Sequence, residues 1–134
     1  EITESAYADD NELLLETTTQ LQNIGFEVEM DDFGSGYSSL NMLTEIPVDG
    51  IKLDYVFLKN TKNFEKSKIV VKHILKMLRN LNYKYIAEGV ETKEQADFLI
   101  AIDCERMQGF YFYKPMPVEE FEILDFDNIN NRPH

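Results

Sequence analysis

Strand-like and helix-like segments alternate along this chain, and each strand-like segment ends on polar or charged residues. That alternation is the strongest constraint on the fold. Successive strand–helix units pack as a parallel sheet, which gathers the polar strand ends on one face. Residues 11–23 read as a helix, with Leu13, Leu14, Leu21 and Ile24 on or near one face. Asp9 and Glu12 resemble a capping box before it, and Gly25 supplies its exit. Residues 26–30 alternate apolar and acidic side chains as a short strand does. A short helix over 39–45 stops before Pro47, because the residue preceding a proline disfavours helical geometry. Residues 50–54 read as the next strand.

The clearest helix spans 67–81, with a stripe of Ile69, Val70, Ile74, Met77, Leu78 and Leu81. A strand over 83–87 follows, and Thr92 with Gln95 fits a capping box opening a helix through 102. A further strand is expected near Arg106 and Met107, and a last helix over 118–124. The Asn-rich segment 125–134 is expected to be a frayed tail behind one domain, 1–124. The resulting fold class is α/β, built from parallel βα repeats. The spacing from Asp31 to Lys52, Glu88 and Gln108 suits units of a TIM-type barrel, at roughly 30 residues per unit. A closed barrel needs about 250 residues, so a chain of 134 supplies about half of one.

Asp31 and Asp32 stand together at a strand end, followed by Phe33-Gly34-Ser35-Gly36. Adjacent carboxylates repel unless a cation offsets them, so the pair reads as a divalent-metal site beside a flexible loop. A solvated turn is the alternative, since Asp and Gly are common turn residues. Glu1 closes the first partial strand, Lys52 the third, Glu88 the fourth and Gln108 the fifth. Carboxylates, one lysine and an amide on one face suit metal-assisted attack on a phosphate ester.

These residues fall in ordered motifs. Glu1-Ile2-Thr3-Glu4, Asp31-Asp32-Phe33-Gly34-Ser35-Gly36-Tyr37-Ser38-Ser39-Leu40, Ile51-Lys52-Leu53-Asp54, Ala87-Glu88-Gly89-Val90-Glu91-Thr92 and Gln108-Gly109-Phe110 resemble the successive motifs of the EAL domain. That family consists of bacterial signalling phosphodiesterases that open cyclic di-GMP to the linear dinucleotide. The resemblance implies Glu1, Asp31 and Asp32 as ligands of magnesium or manganese in a two-metal site. It implies Lys52 on the attacking water or scissile phosphate, Glu88 as ligand contact or general base, and Gln108 on water or substrate. Residues 33–40 match the loop that covers the site and supports dimerisation, with Glu4 bracing it. Ser35 stands where threonine is commoner and keeps the hydroxyl. The Glu-Ala-Leu motif itself, a substrate-binding arginine and an asparagine ligand belong to the family's upstream half and are absent. The chain is therefore expected to be the C-terminal half of an EAL domain from a longer parent, and inactive alone. A degenerate domain that senses cyclic di-GMP or binds protein is the rival reading.

Net charge is −12, which argues against a nucleic-acid polymer or an anionic membrane surface as partner. No apolar run reaches membrane-spanning length, so membrane attachment would come from other parts of the parent. The lone cysteine, Cys104, permits no intrachain disulfide and fits the cytoplasm. It reads as a small buried residue, and His73 as a partly buried packing residue. Tyr111, Phe112 and Tyr113 read as rim packing, with base stacking as the alternative. Glu91 reads as a charge favouring a helix N-terminus and Asp54 as a solvated strand-end charge or a partner of Lys52, with a direct site role as the alternative for each. Open edges of a half-barrel and the loop after Asp32 both point to a homodimer.

Overall fold

The computed structural model describes residues 1–3, 6, 11–34, 40, 42–54 and 64–124. Strands β1 (Ile2–Thr3), β2 (Glu29–Phe33), β3 (Gly50–Leu53) and β4 (Lys84–Ala87) form one sheet in the order β1-β2-β3-β4. All neighbours pair in parallel. Between them lie helices α1 (Asn11–Asn23), α2 (Met42–Glu45) and α3 (Phe64–Asn80), and α4 (Lys93–Ala101) and α5 (Val118–Glu122) follow β4. Four parallel strands in sequence order, with helices in the crossovers, are a run of TIM-type repeats.

Side chains alternate across each strand. Met30 and Phe33 of β2 and Ile51 and Leu53 of β3 are buried and form the core with Val71, Leu75 and Leu78 of α3 and Leu99 of α4. The opposite parity carries Asp31 and Lys52. Thr92 caps α4 as expected: its Oγ1 accepts from Gln95 N, while Gln95 Oε1 accepts from Thr92 N. Gly25, at φ +96°, turns the chain out of α1.

Several expectations are corrected. The strand expected over 26–30 runs instead from Glu29 to Phe33, because backbone pairing to β1 and β3 carries it through both aspartates. In α1, Leu13 and Ile24 are exposed, whereas Thr18 is buried. In α3 the buried line is Val71, Leu75 and Leu78, and Ile69, Val70 and Leu81 face outward. His73 is exposed, its Nδ1 2.8 Å from Ile69 O. The strand near Met107 is a single parallel bridge to Ala87. Cys104, by contrast, is buried as expected, and burial pushes its thiol pKa up. Asp9 and the tail 125–134 lie outside the described residues.

Candidate active site

β2 contains a bulge at the aspartate pair. Met30 pairs with Ile51 and Phe33 with Leu53, so Asp31 and Asp32 together oppose Lys52. Asp32 adopts φ +57°, and its N–H donates to Asp31 Oδ1 at 2.9 Å. A bulge re-aims side chains at a strand end. Here it leaves Asp31 part-buried and Asp32 exposed rather than sending one of them into the core.

Lys52 is the hub. Its Nζ lies 3.1 Å from Glu1 Oε1, 3.5 Å from Asp31 Oδ1 and 3.0 Å from Glu88 Oε1. The three partners come from adjacent elements: Glu1 stands before β1 rather than closing it, Asp31 lies in β2, and Glu88 follows β4. Burial opposes charge on the ammonium. The contacts with Glu88 and Glu1 and the charges of Glu88 and Asp31 outweigh it, holding the lysine pKa well above its usual range. These contacts favour the ammonium form of Lys52, which can offset phosphate charge.

Glu88 is anchored by its own N–H, which donates to Leu53 O at 3.0 Å and continues the β3–β4 ladder. Its Oε1 is buried and meets Lys52 in distance but accepts no hydrogen bond. Gln108 is exposed, yet its backbone is fixed by a 2.8 Å bond from its N–H to Ala87 O. Glu1, Lys52 and Gln108 line one cavity of about 180 Å³, whose walls also include Glu29, Lys84 and Arg106. Sequence reasoning did not single out these last three.

The structure thus brings together Glu1, Asp31, Lys52 and Glu88, with Asp32 and Gln108 at the same strand-end face. Phe33 is corrected: expected in the loop, it ends β2 in the core at 1% exposure. The chain turns away at Gly34, φ +97°. Glu4, Ser35 and Gly36 lie outside the described residues. The N–H of Asp54 donates to Phe33 O, and that of Glu91 to Gln95 Oε1, so both are held at the strand ends. Tyr111 and Phe112 pack edge to face with each other and lie partly buried against the core, as rim packing predicts.

The oxygen donors are of the kind that binds magnesium or manganese, and the buried Glu88 Oε1, ion-paired with Lys52 but accepting no hydrogen bond, is an oxygen of that kind. Among the described residues, no three His, Cys, Asp or Glu side chains converge tightly enough to hold an ion by themselves. The carboxylates fit such an ion in kind and surround Lys52 instead of a common point.

The run of parallel βα units belongs to the TIM-type fold class, and the sequence match makes the family specific. The EAL domain matches residues 1–115, and the chain belongs to this family. It is 42% identical over 122 residues to the cyclic di-GMP phosphodiesterase PdeR of Escherichia coli (strain K12), covering 91% of this chain and 18% of that protein. It is 38% identical over 126 residues to the cyclic di-GMP phosphodiesterase RocR of Pseudomonas aeruginosa, covering 94% of this chain and 32% of that one. The crystal structure of the EAL domain of Mycobacterium smegmatis DcpA superposes with a TM-score of 0.81 at 36% identity, over 90% of this chain and 54% of that one. The PaMucR phosphodiesterase in complex with c-di-GMP superposes with a TM-score of 0.80 at 38% identity, over 90% and 49%. The chain therefore spans less than a fifth of the PdeR sequence and about half of these solved chains. Among the described residues no helix is long and apolar enough to cross a membrane.

Proposed function

We propose that the protein carrying this chain is a metal-dependent cyclic di-GMP phosphodiesterase acting in the bacterial cytoplasm. The observation that carries this reading is Lys52, surrounded within 3.5 Å by Glu1, just before β1, by Asp31 near the carboxyl end of β2 and by Glu88 just after β4. Glu1, Asp31 and Asp32 would hold magnesium or manganese, which supplies an activated water when bound. Lys52 offsets charge building on the phosphoryl oxygens. Glu88, beside that ammonium, would contact the metal or take the proton from its water. Gln108 offers its amide to water or to a substrate oxygen. Of these groups Glu1, Lys52 and Gln108 line one cavity, and Asp31 and Glu88 stand at Lys52 beside it.

The chain alone would lack turnover, because the family's upstream half supplies further ligands and, among the described residues, the carboxylates do not close on an ion by themselves. Association with a second copy would cover the sheet edges or the loop after Asp32. Sedimentation of the isolated chain as a stable monomer contradicts that association.

The test of the function is turnover by the full-length protein. It is expected to linearise cyclic di-GMP with manganese and to stop when the metal is chelated. Tight binding of cyclic di-GMP without hydrolysis would instead identify the degenerate sensor.

A further inference from the structure

The segment bearing Glu88 is fixed from two sides, and one of the fixing residues has no side chain. Residues 106–111 lie backbone to backbone against 87–90. Gln108 N donates to Ala87 O at 2.8 Å, Val90 N to Gln108 O at 3.1 Å and Tyr111 N to Val90 O at 3.0 Å. Gly109 sits within this seam. A Cβ there would stand 2.1 Å from Val90 O, 2.3 Å from Val90 N and 2.6 Å from Val90 C. These are backbone atoms, so no rotamer change relieves the clash, and any side chain forces the two segments apart.

On the far side, Gln95 Oε1 accepts from both Glu91 N, at 2.8 Å, and Thr92 N, at 2.7 Å. Within the first of these clamps the chain bends at Gly89, φ +67°. Glu88 stands at the near end of this held segment, with its carboxylate at Lys52.

We propose that Gly109 is the positioning residue for Glu88, and that Gln95 supports it from the other side. By letting the two segments touch, Gly109 keeps the Glu88 carboxylate against Lys52 and the Gln108 amide at the same mouth. The inference rests on the hydrolase reading above for its consequence in turnover. A glycine needed only for packing would change stability without changing the site.

The test uses the full-length protein with Gly109→Ala, Gln95→Ala and Gln95→Glu. Three quantities are read for each: thermal unfolding, manganese affinity by calorimetric titration without substrate, and kcat and KM for cyclic di-GMP. Folded Gly109→Ala is expected to lose about tenfold or more in manganese affinity and in kcat, the range seen when support for a site residue is removed. KM should change far less. Gln95→Ala should move the same quantities in the same direction by less, and Gln95→Glu, which keeps an acceptor, should restore them. Wild-type manganese affinity and kcat in folded Gly109→Ala overturn the proposal. If Gly109→Ala does not fold, unchanged values in Gln95→Ala overturn it. A wild-type protein without turnover overturns the hydrolase reading alone, and the manganese titration then decides positioning by itself.

Discussion

Lys52 Nζ and Glu88 Oε1 stand 3.0 Å apart across the seam between β3 and the residue that follows β4. Their side chains are only 14% and 19% exposed, and the carboxylate oxygen accepts no hydrogen bond. The pair is therefore held by charge in a half-dry site, and each member depends on the other.

Replacing Lys52 by Met strands three carboxylates without their cation. The loss is expected to be about 1–3 kcal/mol, the cost of leaving a buried polar group unsatisfied. Glu88→Gln in the Lys52→Met background should recover part of it. A double-mutant cycle by urea unfolding checks this, and additive losses would show that the two residues are not coupled.

At the opposite end of the sheet Asp49 ties α1 to β3. Its Oδ2 accepts from Gln22 Nε2 at 3.0 Å and from Val28 N at 2.8 Å. The Gln22 bond first, then the Val28 N–H, hold the carboxyl below its usual pKa. A carboxyl whose pKa is lowered by folding adds stability above its unfolded value, and that stability is lost as pH falls through the folded value. The wild type should therefore exceed Asp49→Asn in stability at neutral pH. The gap should close below about pH 4, the ordinary carboxylate range. Denaturant unfolding across pH checks this, and a gap independent of pH contradicts it.

Helix α3 offers a packing test. Leu75 is fully buried, while Ile69 is 58% exposed. Leu75→Ala should cost about 2–5 kcal/mol, and Ile69→Ala should stay within about 1 kcal/mol. Equal losses at the two positions would place the core on the wrong face of the helix.

Much of this was legible in the chain. The strand–helix alternation and the polar strand ends carry the parallel sheet, and the Thr92–Gln95 cap was readable from residue type alone. What escaped is what pairing decides. An acidic pair looks like the end of a strand, yet β2 runs through it because a bulge lets Asp31 and Asp32 share the place opposite Lys52. Apolar residues cover more than one sector of α3, so periodicity alone chose Ile69 and Val70 over Val71 and Leu75. Phe33 read as a loop residue from its glycine neighbours, but strand parity turns it inward. Gly109 was visible as part of a motif. Its reason, contact with the Val90 backbone, appears only when residues 90 and 109 meet in space.

The central claim is that Lys52 and the acids around it belong to a cyclic di-GMP phosphodiesterase. The most direct measurement is manganese-dependent conversion of cyclic di-GMP to the linear dinucleotide by the full-length protein and by its Asp31→Ala and Lys52→Ala variants. The account predicts turnover by the wild type and a loss of about a hundredfold or more in each folded variant, as for removal of a group stabilising transition-state charge. Wild-type turnover by either folded variant would contradict it.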